Sequence, residues 1–589
     1  MSTLEVAPPA TTARHSAPAR RVPPWLEAVG LLLAPGLVAL LLRTPPMSVG
    51  LQTRWTMVDP NFYTAYARHG ADLLDRFGAD DYFWVRLGQI LPARLASAAF
   101  GDVGGFVVLR YVFALVAIVP AYLWLRHRSR AVGALAVVVV LTSPVVLMAW
   151  GSDYPDGAAL AYLLAGLPLL VLPATGTRRV VVRALAGLAL GLAVHAHPAA
   201  FPLVAAALLA VLASGFSRHA GVRRARGRRV AVDLALVVGG IVVATLLMVL
   251  GALVLYGRAD LLGPTIDQLT RLQRPDQVRL WHSSTWAWAQ RATYLLVPAV
   301  VVLAWVGVCV RRRRTLGERP PRDEAVVVLA TALGSLAFLA IQAGTGFTLE
   351  YYFYSSLLWA GACLKTVLVL ARLSSSRWTA GLVLGLAVLQ SVTGPLRFGV
   401  VPSGLVVAAL VVAVAVVGGA LAGAWWRIGA TVVVALGLLL LTTGQPRSSY
   451  APGQVRYPLP DYGAVTGQPD LSRLSSYATM TSVADAVPPA DVPALTWVEP
   501  PAAGSLPDEV PSRAAAQYLG PAHGLSSTMP TLSASDRRKL DAARGAQVVL
   551  LGARGEFGPA LQALAPWSPV LERETVVNGT LHVTVLRLR

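Results

Sequence analysis

Asp59 stands immediately before Pro60 in the run Met57-Val58-Asp59-Pro60-Asn61-Phe62-Tyr63. An Asp followed by Pro suits an N-cap followed by the first helical residue. The free amides of a helix start also favour an ionised carboxylate, and such a carboxylate at a membrane surface can take a proton from a hydroxyl. The two readings are compatible. Further on, Asp80-Asp81-Tyr82-Phe83-Trp84-Val85-Arg86 leads through Gly88 and Gln89 to Pro92. Tyr82 and Trp84 fit an interfacial aromatic belt. Arg86 could snorkel, pair with Asp80 or Asp81, or grip a phosphate with parallel N–H donors.

Three other places carry reactive side chains. Gly151-Ser152-Asp153-Tyr154-Pro155-Asp156-Gly157 puts two acids in a short connection. Ser152, Asp153 or Asp156 could simply cap a helix; Asp153 and Asp156 are also candidates for catalysis. His195-Ala196-His197-Pro198 places two imidazoles within three residues. They read as polar helix caps, as phosphate donors, or as metal ligands together with the acids; the spacing is too loose for a zinc site. Arg271, Arg274 and Arg279 precede Trp281, His282, Trp286 and Trp288. Arginines beside aromatics at headgroup level suit docking of a lipid phosphate, and equally a plain interfacial helix.

These residues need elements to hold them, and hydropathy supplies the elements. The chain has 589 residues, 55% of them hydrophobic, with mean hydropathy +0.59. Apolar runs long enough to cross a hydrocarbon core about 30 Å thick recur from Trp25 to Gly444. Thirteen spans are predicted: 25–42, 104–125, 131–150, 157–173, 180–196, 199–216, 230–256, 292–310, 325–343, 352–371, 378–396, 399–424 and 428–444. Val230–Tyr256 has no polar face, unlike the one-faced helix of a soluble core. The fold class expected is an all-α polytopic membrane protein with a small C-terminal α/β domain.

The formal charge of +20 would suit nucleic acid, but its distribution does not. From Gln445 onward there are 12 basic and 12 acidic residues, so the tail is neutral. The excess sits in short clusters between apolar runs: Arg20/Arg21, Arg126/Arg128/Arg130, Arg178/Arg179/Arg183, Arg218–Arg229, Arg311–Arg322, Arg372/Arg377 and Arg427. That alternation is the positive-inside pattern. It places residues 1–24 in the cytoplasm as a disordered tail and the C-terminus outside, in a multi-pass protein of the plasma membrane. Acids do little to set topology, yet 12 of the 18 before Gln445 fall in outside segments. This clustering points to chemistry on the outer face. Cys309 and Cys363 are the only cysteines, both within predicted spans, which excludes a disulfide framework.

Two outer loops are long, 43–103 and 258–291. In the first, Phe62, Tyr63, Tyr66, Leu73, Leu74 and Phe77 recur at helical spacing with Arg68, Asp72, Asp75 and Arg76 between them. This is an amphipathic helix suited to lying along the membrane surface. The tail, 445–589, begins as a Pro/Ser/Tyr-rich linker. It then reads as strands at 494–498, 546–551, 569–577 and 580–588, with helices at 512–518, 533–544 and 558–564. Asn578-Gly579 marks a type I′ hairpin between the last two strands; Asn578-Gly579-Thr580 is also a glycosylation sequon.

An apolar first span, an acid opening an amphipathic outer-loop helix, then an aromatic run with Arg86 and Pro92 before the second span resembles the GT-C glycosyltransferases. The nearest group is that of actinobacterial relatives of the protein O-mannosyltransferases and lipid A aminoarabinose transferases. The resemblance covers roughly residues 25–370 by topology, with motif detail in about 50 residues. The Asp-Glu pair usual in the mannosyltransferase branch is absent, because Pro60 follows Asp59. The resemblance implies an inverting sugar transfer from a polyprenyl-phosphate donor to an outer acceptor: a cell-wall glycan, lipid or protein. It implies Asp59 as the base, an acid such as Asp153 or Asp156 near the acceptor or a metal, and Arg86 with later Arg or His residues on the donor phosphate. No organic cofactor and no nucleic-acid partner is expected, and a divalent metal is left open. Two other classes remain. A transporter or lipid flippase would carry ionisable residues near the bilayer midplane, where few are evident. A non-catalytic membrane scaffold would tolerate loss of Asp59.

Overall fold

The computed structural model describes residues 23–42, 82–127, 155–214, 220–272, 322–345, 485–488, 495–498, 525–528, 534–542, 545–552, 555–577 and 581–589, with isolated positions and pairs between them. Asp59, Asp153, Arg274, Arg279 and the predicted spans from residue 352 onward lie outside the described residues, as does the side chain of Arg271.

The first part is helical: α1 (Pro24–Leu42), α2 (Leu87–Leu125), α3 (Pro155–Val171), α4 (Gly176–Ala196), α5 (Phe201–Ala213), α6 (Ala220–Tyr256), α7 (Gly263–Leu272) and α8 (Arg322–Thr345). Each of these except α7 falls on a predicted span. Among the described residues, Gly104–Leu125, Gly176–Ala196 and Gly227–Tyr256 are long and apolar enough to cross a membrane, and α3 and α5 are shorter apolar helices. One face of α6 buries Asp233, Val237, Ala244 and Met248, while Val238, Val242, Leu246, Leu250 and Leu253 stay exposed. An exposed face of Val and Leu, with only Ala and Gly among them from Ala231 to Val254, fits lipid.

Small residues let the helices approach closely. A Cβ on Gly187 of α4 would collide with the Val237 carbonyl of α6, and one on Gly240 of α6 with the Ala184 carbonyl of α4. Gly166 of α3 lies under the Leu190 side chain in the same way. Where lipid replaces water, close packing of small residues is a main source of helix association.

Helix α2 is two pieces. Gly101 has φ +74° and ψ 169°, a conformation only glycine adopts cheaply. The chain turns there from an outer segment, Leu87–Phe100, into the span Gly104–Leu125, and Gly105 abuts the backbone of Ala96 and Ser97. The outer segment crosses the ends of three helices. Gly88 touches the last turn of α4, Leu91 lies over Gly251 of α6, and the Tyr162 hydroxyl of α3 donates to the Gly88 carbonyl at 3.1 Å.

Ionic contacts gather at the opposite ends. Glu27 pairs with Arg126 at 2.8 Å and Arg130 at 2.7 Å. Asp233 takes Arg179 at 2.8 Å and Arg183 at 3.5 Å. The Trp124 indole donates to Asp323 at 3.1 Å, and Arg322 to the Ser214 hydroxyl at 3.0 Å. Every one of these contacts joins two ends that the Arg pattern assigns to the cytoplasm.

The predicted surface helix of the first loop is helical at Tyr63, Tyr66, Ala67, Gly70 and Leu74. The described residues of this segment face protein: Tyr63, Tyr66, Ala67 and Leu74 are all buried. Arg94 donates to the Ala67 carbonyl at 3.4 Å, and the Tyr256 hydroxyl to that of Tyr66 at 3.4 Å.

The tail forms a five-stranded sheet in the order β2-β1-β3-β5-β4. Its strands are β1 (Leu495–Val498), β2 (Leu525–Thr528), β3 (Gln547–Gly552), β4 (Val570–Val577) and β5 (Leu581–Arg587), with helices α9 (Ala534–Ala542) and α10 (Gly558–Leu564). β1 runs parallel to β2 and β3, and the β4–β5 pair closes the sheet antiparallel. Trp497, Val548, Leu550 and Leu586 on one face pack with Leu540, Ala560 and Leu564. Val549, Leu551, Val583 and Val585 on the other are buried as well. Four strands fall where the sequence predicts them. β2 was not predicted, because Leu525-Ser526-Ser527-Thr528 carries neither a branched apolar run nor alternation. The hairpin residues 578–580 and the predicted helix 512–518 lie outside the described residues.

Candidate functional site

Arg86, Asp156 and His197 come from three separate stretches of chain and lie at the end of the bundle away from the ionic cluster, His197 facing Asp156 and Arg86 near enough for its charge to act on His197. Arg86 is the N-cap residue of α2. Asp156 lies in the first turn of α3, behind Pro155. His197 follows the last turn of α4 and starts the short 3₁₀ turn Pro198–Ala200. All three are buried, at 7%, 0% and 4% exposure. The close approach of Gly88 to Ala196 brings the start of α2 onto the end of α4.

His197 and Asp156 face each other, with Nε2 3.6 Å from Oδ1. The Ala199 amide donates to His197 Nδ1 at 3.1 Å. Nδ1 therefore carries the lone pair, and in a neutral ring the proton sits on Nε2. Burial, and secondarily the positive charge of Arg86, hold the imidazole well below its ordinary pKa. The ring is neutral near pH 7, so the contact is an N–H aimed at a carboxylate, not an ion pair. The same tautomer argues against His197 as a metal ligand. Coordination through Nε2 would require the proton on Nδ1, where the Ala199 amide already donates. Among the described residues no three His, Cys, Asp or Glu side chains cluster to hold a metal.

Arg86 has its guanidinium 5.4 Å from the Tyr82 ring centroid. Among the described residues its Nε has no hydrogen-bond partner, and neither has Oε1 of Gln89 one helical turn on. A buried cation with an idle donor, and a buried idle acceptor three residues on, suit a ligand that is both anionic and hydroxylated. Gln89 was not singled out by sequence reasoning; its spacing of three from Arg86 was the available signal.

The aromatic run has a different role from that expected. Trp84 is 1% exposed and meets the Tyr256 ring edge-on at 5.4 Å. It is a core anchor between the outer segment and α6, not belt. Tyr82 is half-buried, with its ring against Phe83 at 4.2 Å.

The other predicted residues divide. His195 Nε2 lies 3.0 Å from the Thr245 hydroxyl of α6, so its ring links two helices. Arg271 lies in α7, whose backbone alone is described at that position. Asp59, Asp153, Arg274 and Arg279 fall outside the described residues.

One further residue escaped the sequence reading. Arg110 lies inside the span Gly104–Leu125 at 1% exposure. A guanidinium at that depth is costly and marks function or a built ion pair. The signal was an Arg inside an apolar run, masked by the high hydropathy of its neighbours.

No family model matches the chain, and no curated protein matches it in sequence. Similar solved structures exist. ArnT from Cupriavidus metallidurans in the apo state matches at TM-score 0.49 and 14% identity, over 95% of this chain and 98% of that one. The archaeal oligosaccharyltransferase AglB from Archaeoglobus fulgidus, solved with an inhibitory peptide and a dolichol-phosphate, matches at TM-score 0.42 and 12% identity, over 95% and 74%. The arabinosyltransferase EmbB from Mycobacterium smegmatis matches at TM-score 0.41 and 15% identity, over 75% of this chain and 44% of that one. These structural neighbours are GT-C glycosyltransferases.

Proposed function

We propose that the chain is a membrane glycosyltransferase that moves a sugar from a polyprenyl-phosphate donor to an acceptor outside the membrane. The observation that carries this reading is the meeting of Arg86, Asp156 and His197, with the idle Nε of Arg86 and Oε1 of Gln89, at one end of the bundle. The acceptor oxygen attacks the anomeric carbon as the bond from that carbon to the phosphate oxygen breaks. The acceptor proton passes to a carboxylate, and the polyprenyl phosphate leaves with the bonding pair. Arg86 stabilises the charge that grows on that phosphate. The carboxylate comes from Asp59, Asp153 or Asp156; Asp156 is the one seated beside His197. A donor whose tail stays in the bilayer accounts for a site at the edge of an apolar bundle. The active face is extracytoplasmic, with thirteen spans, a cytoplasmic N-terminus and the α/β domain outside.

Arg110 favours a second reading, a transporter or flippase, because such proteins use buried ionisable groups within the span. One experiment separates the two. Purified protein is incubated with radiolabelled polyprenyl-phosphate mannose, glucose, arabinofuranose or aminoarabinose and a cell-envelope extract. Label should appear in acceptor with the wild type and fall by about 10²-fold or more in Arg86→Ala. Lipid translocation in vesicles with no label transfer would overturn the enzyme reading.

A further inference from the structure

Arg86 and Gln89 leave the same turn of α2. The Arg86 amide donates to the Phe83 carbonyl at 3.3 Å, and the Arg86 carbonyl accepts the amides of Gln89 at 2.9 Å and Ile90 at 3.0 Å. The backbone is thus fixed on both sides of Arg86, and residues three apart on a helix are neighbours, about 5–6 Å between Cβ atoms. Arg86 is 7% exposed and Gln89 3%. Among the described residues, Arg86 Nε and Gln89 Oε1 have no hydrogen-bond partner. A buried polar atom left unpaired costs stability, so two of them on one turn fit a ligand that pairs both.

The choice of glutamine narrows that ligand. A carboxylate at position 89 would pair with Arg86 across the turn and quench the charge that a phosphate needs. An amide leaves the guanidinium to the anion and offers a hydroxyl both an acceptor and donors. Oε1 takes a hydroxyl proton and Nε2 gives one, so the contact forms in either orientation of the amide. In a sugar 1-phosphate the hydroxyl nearest the phosphate along the bonds is the one on C2.

We propose that Gln89 is the donor-specificity residue: its amide hydrogen-bonds the C2 hydroxyl of the sugar whose phosphate Arg86 holds. This rests on the transferase reading, and it places no demand on which carboxylate takes the acceptor proton. C2 epimers turn that oxygen to opposite faces of the ring, so the contact separates manno- from gluco-configured donors.

Gln89→Met keeps the length of the side chain and removes both polar atoms. It should melt at or above the wild-type temperature, because no partner is stranded. Transfer is measured with the polyprenyl-phosphate sugar that the wild type uses among the four named above, and with its 2-deoxy analogue. The ratio of kcat/KM for the natural donor over the analogue should fall about 10-fold from wild type to Gln89→Met, the scale of one hydrogen bond to a neutral group. Comparing ratios cancels the higher intrinsic reactivity of a 2-deoxy donor. Undecaprenyl phosphate, which carries no sugar, should bind Gln89→Met with the wild-type Kd. It should bind Gln89→Glu more weakly, since the new carboxylate occupies Arg86.

An unchanged ratio in Gln89→Met would overturn the proposal. So would a lower melting temperature with equal losses on both donors, which is the signature of a structural glutamine. A wild type that transfers none of the four sugars sinks the transferase reading, and binding then decides the contact by itself. The Kd values of the four lipid-linked sugars are compared with that of undecaprenyl phosphate. A wild-type preference for one sugar-bearing lipid that Gln89→Met abolishes supports the contact; an unchanged preference, or none in the wild type, overturns it.

Discussion

Gly88→Ala perturbs the site without touching a charged group. A Cβ at Gly88 would lie 2.5 Å from Ala196 N, 2.7 Å from the Leu192 carbonyl oxygen and 2.8 Å from Ala196 Cα. All three are backbone atoms of α4, so no side chain can swing aside. Ordinary contact begins at 3.4 Å. The start of α2 must therefore lift by roughly 1 Å, carrying Arg86 two residues away and breaking the 3.1 Å bond from Tyr162 to the Gly88 carbonyl. A displacement of about 1 Å at a reacting centre costs on the order of 10²-fold in rate, and overpacking of this kind costs about 1–3 kcal/mol in stability. Gly36→Ala is the control, because its Cβ would meet only Tyr111 Cε2, at 3.7 Å. The assay is label transfer with melting measured in the same detergent. Wild-type transfer by Gly88→Ala would refute the claim that the contact of α2 with α4 sets the position of Arg86.

Three other outcomes are expected. Arg86→Lys keeps the charge but loses the planar fork, so the KM for donor should rise with normal membrane insertion; unchanged KM and kcat would leave Arg86 a structural residue. Asp59→Asn can still cap a helix while Asp59→Ala cannot, so Ala should cost about 1 kcal/mol more in stability. Equal loss of transfer in the two would make the Asp59 carboxylate the base; activity kept by Asn alone would make Asp59 a cap. Burial and Arg86 depress the folded His197 pKa below 6.5, so below pH 6.5 the unfolded chain binds a proton that the folded chain does not. Stability from this residue is full above about pH 6.5 and declines as pH falls toward the depressed value. Melting at pH 7.5, 6.0 and 5.0 should show a shallower acid loss in His197→Asn.

The helices and their ends were legible in the sequence because span length and Arg placement are local properties. The bilayer imposes the first, and topology imposes the second. Seven of the predicted spans coincide with helices α1 to α6 and α8, and the pairing of Glu27 with Arg126, and of Asp233 with Arg179, joins ends that the charge pattern puts on one side. Strands β1, β3, β4 and β5 were legible for the same reason, since alternation and branched apolar runs are read within a few residues. Residue type alone also marked Arg86, Asp156 and His197 as candidates.

Tertiary structure decided how these residues are used. Arg86, Asp156 and His197 meet because Gly88 lets α2 lie on Ala196, and no local signal states which helix a glycine will face. Trp84 became core instead of belt because Tyr256, far along the chain, supplies its neighbour. His195 and His197 look equivalent in sequence. Thr245 of α6 lies beside one, while the Ala199 amide fixes the tautomer of the other and turns its N–H toward Asp156. Hydropathy and charge are sums over residues, whereas the proton position on an imidazole depends on which atoms the fold brings within hydrogen-bond reach.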